Sequence, residues 1–125
     1  MTRRALGILQ WVGLIAGAAV WAGQHIVGFG ITQAECSTGG AHWGIGNDVW
    51  QIALLIASAL LIGGAGLASA VVVADTRDTS YDSDPPPLSR IRFFAIAALT
   101  ANVIFLVIVL LDGLASIFNV VCRQG

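Results

Sequence analysis

Three long stretches of this chain carry no formal charge: Ala5 to Ala34, Val49 to Ala74 and Phe93 to Leu111. An α-helix rises about 1.5 Å per residue, so roughly 20 apolar residues cross the ~30 Å hydrocarbon core of a bilayer. Each stretch meets that requirement. Inside lipid no water is available to the peptide groups, so each segment must satisfy its own backbone hydrogen bonds as a helix. A β-barrel would need short segments alternating polar with apolar residues, and nothing in the chain reads that way. Only 10% of the residues are charged and the mean hydropathy is +0.85, whereas a soluble domain carries about 25% charged residues. The expected fold class is therefore all-α: one integral membrane domain over residues 1–125 with three transmembrane helices. They are expected near 6–31, 49–74 and 91–118, joined by loops at 32–48 and 75–90.

The first stretch has a basic start at Arg3 and Arg4 and small residues at Ala16-Gly17-Ala18. It is nonetheless far longer than the ~7–15 apolar residues of a signal-peptide core, which predicts an uncleaved anchor. All six basic residues are arginine. Arg3, Arg4, Arg77, Arg90 and Arg92 fall on one side of the three spans and Arg123 alone on the other. By the positive-inside rule this places the N-terminus and the 75–90 loop in the cytoplasm. The 32–48 loop and the C-terminal tail then face outwards, in the cytoplasmic (inner) membrane of a bacterium. No basic patch is present that would neutralise a phosphate backbone, so nucleic acid is not an expected partner.

The two loops differ in character. The inner one is polar and ends in Pro85-Pro86-Pro87, a stiff polyproline II run that suits a spacer aiming the third helix. The outer one holds Cys36, Gly39, Gly40, His42, Trp43, Gly44, Gly46 and Trp50, a mixture expected of a compact loop lying on the membrane surface.

Membrane helices pack through small residues and occasional polar contacts. Gly13 and Gly17 form a GxxxG on the first helix, and Gln24 and Gly28 continue the same side. On the second, Ala59, Gly63, Gly64, Gly66, Ala68 and Ala70 make a smooth surface. On the third, Asn102, Phe105, Val109, Asp112, Ser116 and Asn119 recur at steps of three and four residues and so share one face. Lipid penalises its polar members, so this face should turn to protein.

Asp112 is the one acid embedded in an apolar run. Such a residue raises the idea of a proton relay or ion site, but its place near the end of a span favours pairing with a polar group on another helix or subunit. His25 lies beside Gln24 at the outer end of the first helix, at a depth similar to that of Asp112, so the two could meet. A bis-histidine haem would need a second buried histidine, and His42 is in a loop; HxxxH and CxxCH are absent from the sequence. No metal, cofactor or catalytic residue is therefore expected. Cys36 and Cys122 are the only cysteines. An odd number of spans puts both on one side, and the arginine count makes that side external, where bacterial disulfides persist. A Cys36–Cys122 bridge is expected.

The stretch Gly28-Phe-Gly-Ile-Thr-Gln-Ala-Glu-Cys36, then Ala41-His-Trp-Gly-Ile-Gly-Asn-Asp48 and Asp84-Pro-Pro-Pro87, resembles small uncharacterised bacterial membrane proteins associated with respiratory complexes of the haem-copper oxidase type. The resemblance implies an accessory subunit and transfers no catalytic residue. Taken together, the chain reads as a non-catalytic accessory subunit with other integral membrane subunits and lipid as neighbours. Two rival readings remain: a small homo-oligomeric transporter or channel lined by Asp112 and Asn102, and a haem-binding electron carrier using His25.

Overall fold

The computed structural model describes residues 1–37, 44, 46–80, 88–118 and 122. Three helices, α1 (Arg3–Cys36), α2 (Asn47–Asp75) and α3 (Leu88–Phe118), pack so that each touches the other two. All three are long and apolar enough to cross a membrane. The triproline run, most of the glycine- and tryptophan-rich loop with His42 and Trp43, and Asn119 and Arg123 lie outside the described residues.

Each helix runs a few residues beyond the span expected from hydropathy. At the start of α1 the Thr2 hydroxyl accepts a hydrogen bond from the Ala5 N–H, satisfying one of the orphan donors of the first turn. At its far end α1 continues to Cys36, and the Thr32 hydroxyl on the way donates to the Gly28 carbonyl at 3.0 Å. Hydropathy alone cannot see such a polar extension. The start of α2 is helped by Asp48 in its first turn, where a negative charge complements the helix dipole.

Buried residues recur on each helix at steps near three and four. On α1 they are Leu6, Gln10, Gly13, Gly17, Gln24 and Gly28. On α2 they include Gln51, Ser58, Ile62, Ala65, Ser69 and Val72. On α3 they are Ile91, Ala95, Ala98, Asn102, Val109 and Gly113. The pattern inverts that of a water-soluble protein. Gln10, Gln51, Ser69 and Asn102 are buried, while Ile26, Leu60, Leu67 and Leu111 are at least 65% exposed. In water such an exterior would aggregate. In lipid the apolar exterior is the solvated one, and buried amides and hydroxyls hold the helices together. The chain is a multi-pass membrane protein.

The GxxxG of α1 serves two different neighbours. A Cβ at Gly13 would collide with the Ser69 hydroxyl of α2. At Gly17 it would lie 2.7 Å from Asn102 Oδ1 and 3.0 Å from the Phe105 ring of α3. Both glycines are therefore consumed in folding the chain on itself.

Arg92 does more than set orientation. Its Nη1 donates to the carbonyls of Thr76, Arg77 and Thr79, which gather at the end of α2 where a helix leaves carbonyls unpaired. A guanidinium there also meets the negative end of the helix dipole. Arg92→Gln should cost about 1.5–3 kcal/mol, the range for hydrogen bonds to a charged group. Arg90→Gln, at an exposed position, should change little. Thermal unfolding of the two purified variants in one detergent decides this, and equal midpoints would refute the capping role.

Candidate functional site: a polar cleft beside the disulfide

The end of the bundle remote from Arg92 is closed by a covalent bond. Cys36, the last residue of α1, is bonded to Cys122 with a Cα–Cα separation of 5.2 Å, inside the range a disulfide requires. The bridge joins the end of α1 to the segment that follows α3.

Below it the three helices diverge around a cleft of about 260 Å³. α1 contributes Gln24, His25, Gly28, Phe29 and Thr32, α2 contributes Gln51, and α3 contributes Asp112 and Ser116. The close approach of α2 depends on Gly28. Gln51 Nε2 donates to the Gly28 carbonyl at 3.2 Å and to Thr32 Oγ1 at 3.3 Å, and a Cβ at Gly28 would lie 3.1 Å from Gln51 Oε1. Asn47 Oδ1 is a further 3.4 Å from the Thr32 hydroxyl. These contacts fasten α1 to α2 on one wall of the cleft.

The other wall is fastened by His25 and Asp112, whose Nδ1 and Oδ2 lie 3.0 Å apart. An ionised carboxylate only accepts, so Nδ1–H donates. The imidazole also lies 5.8 Å from the Trp21 ring, and Trp21 in turn lies 6.0 Å from Phe105 of α3. Both members of the pair keep contact with the surroundings, with side chains 60% and 36% exposed. The Ser116 hydroxyl donates to the Asp112 carbonyl one turn back on its own helix. Gln24 is only 7% exposed, and its Oε1 has no hydrogen-bond partner among the described residues.

Asn102 belongs to a different place. It is 2% exposed, and its Nδ2 donates to the Gly13 carbonyl at 2.6 Å and to the Ala98 carbonyl at 2.8 Å. Ten residues of α3 separate it from Asp112, about 15 Å along the axis, with the fully buried Val109 on the same face between them. Asn102 and Asp112 thus share a face of α3 at different depths, and Asn102 is engaged inside the bundle. Asn102 and Asp112 of the polar α3 face do turn to protein, and that protein is α1 of the same chain. Among the described residues, no group of three or more His, Cys, Asp or Glu side chains is placed to hold a metal ion.

Gln51 and Thr32 line the cleft and Asn47 meets Thr32 beside it, although no motif in the sequence marks them. Their signal was faint: isolated polar residues at the edges of apolar runs, at positions that only helix pairing brings to one level. No family model, no curated protein and no solved structure matches the chain. What the cleft offers is chemistry of its own: acceptor oxygens and one carboxylate, with a histidine at the rim.

Proposed function

We propose that the chain is a non-catalytic accessory subunit of a larger complex in a bacterial cytoplasmic membrane, of the respiratory kind its sequence resembles. The N-terminus and the 75–90 loop face the cytoplasm, and the disulfide end faces outwards. The observation that carries this reading is the unused small-residue surface of α2. A Cβ at Gly63 or Gly64 would meet nothing within 4 Å among the described residues, whereas one at Gly13, Gly17, Gly28 or Gly113 would press on a neighbouring helix. Beside Gly63 runs an apolar groove of about 300 Å³, lined by Gly66, Leu67 and Ala70 of α2 and Leu99, Val103 and Leu106 of α3. Small residues let a further helix approach closely, so a transmembrane helix of another subunit is the occupant this surface suits. Asn102 of the polar α3 face is spent within the bundle, which leaves α2 as the docking surface.

Purification in a mild detergent, followed by mass spectrometry of what co-migrates, tests the reading. Wild type should carry other membrane subunits. Replacing Gly63 and Gly64 together by leucine should reduce their recovery severalfold while leaving the thermal midpoint of the isolated chain unchanged. A wild-type chain that migrates alone, or only with copies of itself, would sink the proposal. For the orientation, a reporter fused at Ser83 should be active only in its cytoplasmic form.

A further inference from the structure

The cleft between α1, α2 and α3 lies at the level where a bilayer changes from hydrocarbon to head groups. From Arg4 to His25 the helix climbs about 32 Å, and from Arg92 to Asp112 about 30 Å, at 1.5 Å per residue. With the arginines at one interface, both distances place His25 and Asp112 at the other. The site therefore opens where lipid head groups and small solutes are both within reach.

Its chemistry is one-sided. Acceptors dominate: the Asp112 carboxylate, Gln24 Oε1 and the hydroxyl oxygens of Thr32 and Ser116. Apart from the Gln24 amide and the His25 ring, the side-chain donors nearby are directed elsewhere. Gln51 Nε2 is spent on Gly28 and Thr32, the Thr32 hydroxyl on the Gly28 carbonyl and the Ser116 hydroxyl on the Asp112 carbonyl. Asp112 meets His25 through Oδ2, and its second carboxylate oxygen is a further acceptor. In the sequence Glu35 and Asp48 flank this end and Arg123 follows the bridging Cys122, while the arginines of α1, α3 and the α2 terminus belong to the opposite end. Asp112 is the acid that lines the cleft, and its carboxylate favours a cation there. A buried acceptor without a donor is costly, and Gln24 Oε1 is such a group beside this space. A small turn about its soft terminal amide torsion serves a donor seated there.

We propose that this cleft binds a primary ammonium group, supplied either by the head group of phosphatidylethanolamine or by a free alkylamine. The ammonium brings three N–H donors and one positive charge. One donor meets Asp112, one meets Gln24 Oε1, and the third meets a hydroxyl oxygen of Thr32 or Ser116. Phe29, 65% exposed and lining the cleft, gives the adjoining methylene groups an apolar wall. A quaternary ammonium carries the same charge with no N–H, so it leaves Gln24 unserved. The site does not depend on the chain being a subunit of anything.

The test uses the full chain, purified alone and reconstituted with equimolar phosphatidylethanolamine and phosphatidylcholine of identical acyl chains. Native mass spectrometry then counts the retained lipid. Wild type should retain phosphatidylethanolamine about tenfold over phosphatidylcholine, the ratio that matches one unserved buried acceptor. Asp112→Asn and Gln24→Leu should each abolish most of that preference, and Leu110→Ala should keep it. On the wild type in detergent, free ethanolamine should raise the thermal midpoint where choline does not if soluble amines also enter. Lipid selectivity without an ethanolamine effect assigns the site to the lipid; an ethanolamine effect without lipid selectivity assigns it to soluble amines. Equal retention of the two lipids together with equal effects of the two amines overturns the proposal. A preference that survives both Asp112→Asn and Gln24→Leu overturns it as well, because the ammonium is then held elsewhere. Since the chain is purified alone, neither result depends on whether it has partner subunits.

Discussion

Gly17→Leu is expected to lose about 3 kcal/mol of stability, the upper end of the cost of overpacking a well-packed site. The reason lies in what stands opposite. Asn102 Oδ1 is 2.7 Å, and the Phe105 ring 3.0 Å, from where the new Cβ must go. Neither neighbour has an easy retreat. Asn102 is tethered by hydrogen bonds to the carbonyls of Gly13 and Ala98, so moving it uncovers buried polar groups in a medium with no water to replace those bonds. Phe105 is packed against Trp21. The leucine must therefore push α3 away from α1, and the Gly13–Asn102 bond goes with it. Gly23→Leu is the matched control, because a Cβ there meets nothing within 4 Å among the described residues; it should change stability by less than about 0.5 kcal/mol. Denaturation of both variants in the same lipid–detergent mixture gives the comparison. Equal stabilities would mean that α1 and α3 do not meet as described. A change in oligomeric state at unchanged stability would instead make the GxxxG an intermolecular contact.

The features legible in the sequence were those set by the solvent. Uninterrupted apolar runs specify helices wherever lipid forbids an unpaired peptide group, so the spans around 6–31, 49–74 and 91–118 appear as α1, α2 and α3. Periodicity on α3 placed Asn102, Val109 and Asp112 on an inward face, and matching depths brought His25 within reach of Asp112. The identity of the inward neighbour was not legible. A polar face in a membrane helix needs a protein surface, and the sequence does not say whether that surface is α1 or another polypeptide. The same ambiguity covers the small residues: Gly13 and Gly63 look alike in the sequence, yet one is pressed against Ser69 and the other opens outward. Gln10 and Gln51 were missed for a related reason. A single amide in an apolar run barely changes hydropathy, while its burial depends on the rotation of the helix about its axis, which only packing fixes.

Breaking the Cys36–Cys122 bond should cost about 2–4 kcal/mol and loosen the cleft end of the molecule while leaving the arginine end folded. The chain-entropy model gives about 4–5 kcal/mol for a closure spanning 86 residues. Three membrane spans already restrict the unfolded chain, so part of that entropy is lost before the bond forms, which brings the expected effect to the lower range. The local consequence follows from connectivity. The bridge clamps the end of α1 to the segment after α3, and His25 and Asp112 lie 11 residues before Cys36 and 10 before Cys122. The disulfide and the His25–Asp112 contact thus join the same two segments. Ser replacements at both cysteines and Asp112→Asn should therefore be non-additive in unfolding, as neighbours sharing one interface are. The cap of α2 by Arg92 lies at the opposite end of the bundle and should add independently. Alkylation of the intact protein supplies the direct readout: without reductant neither cysteine should label, and after reduction both should. Two labelled cysteines before reduction would mean that the bond does not form in the membrane, and additive losses across the three replacements would mean that it does not hold the cleft.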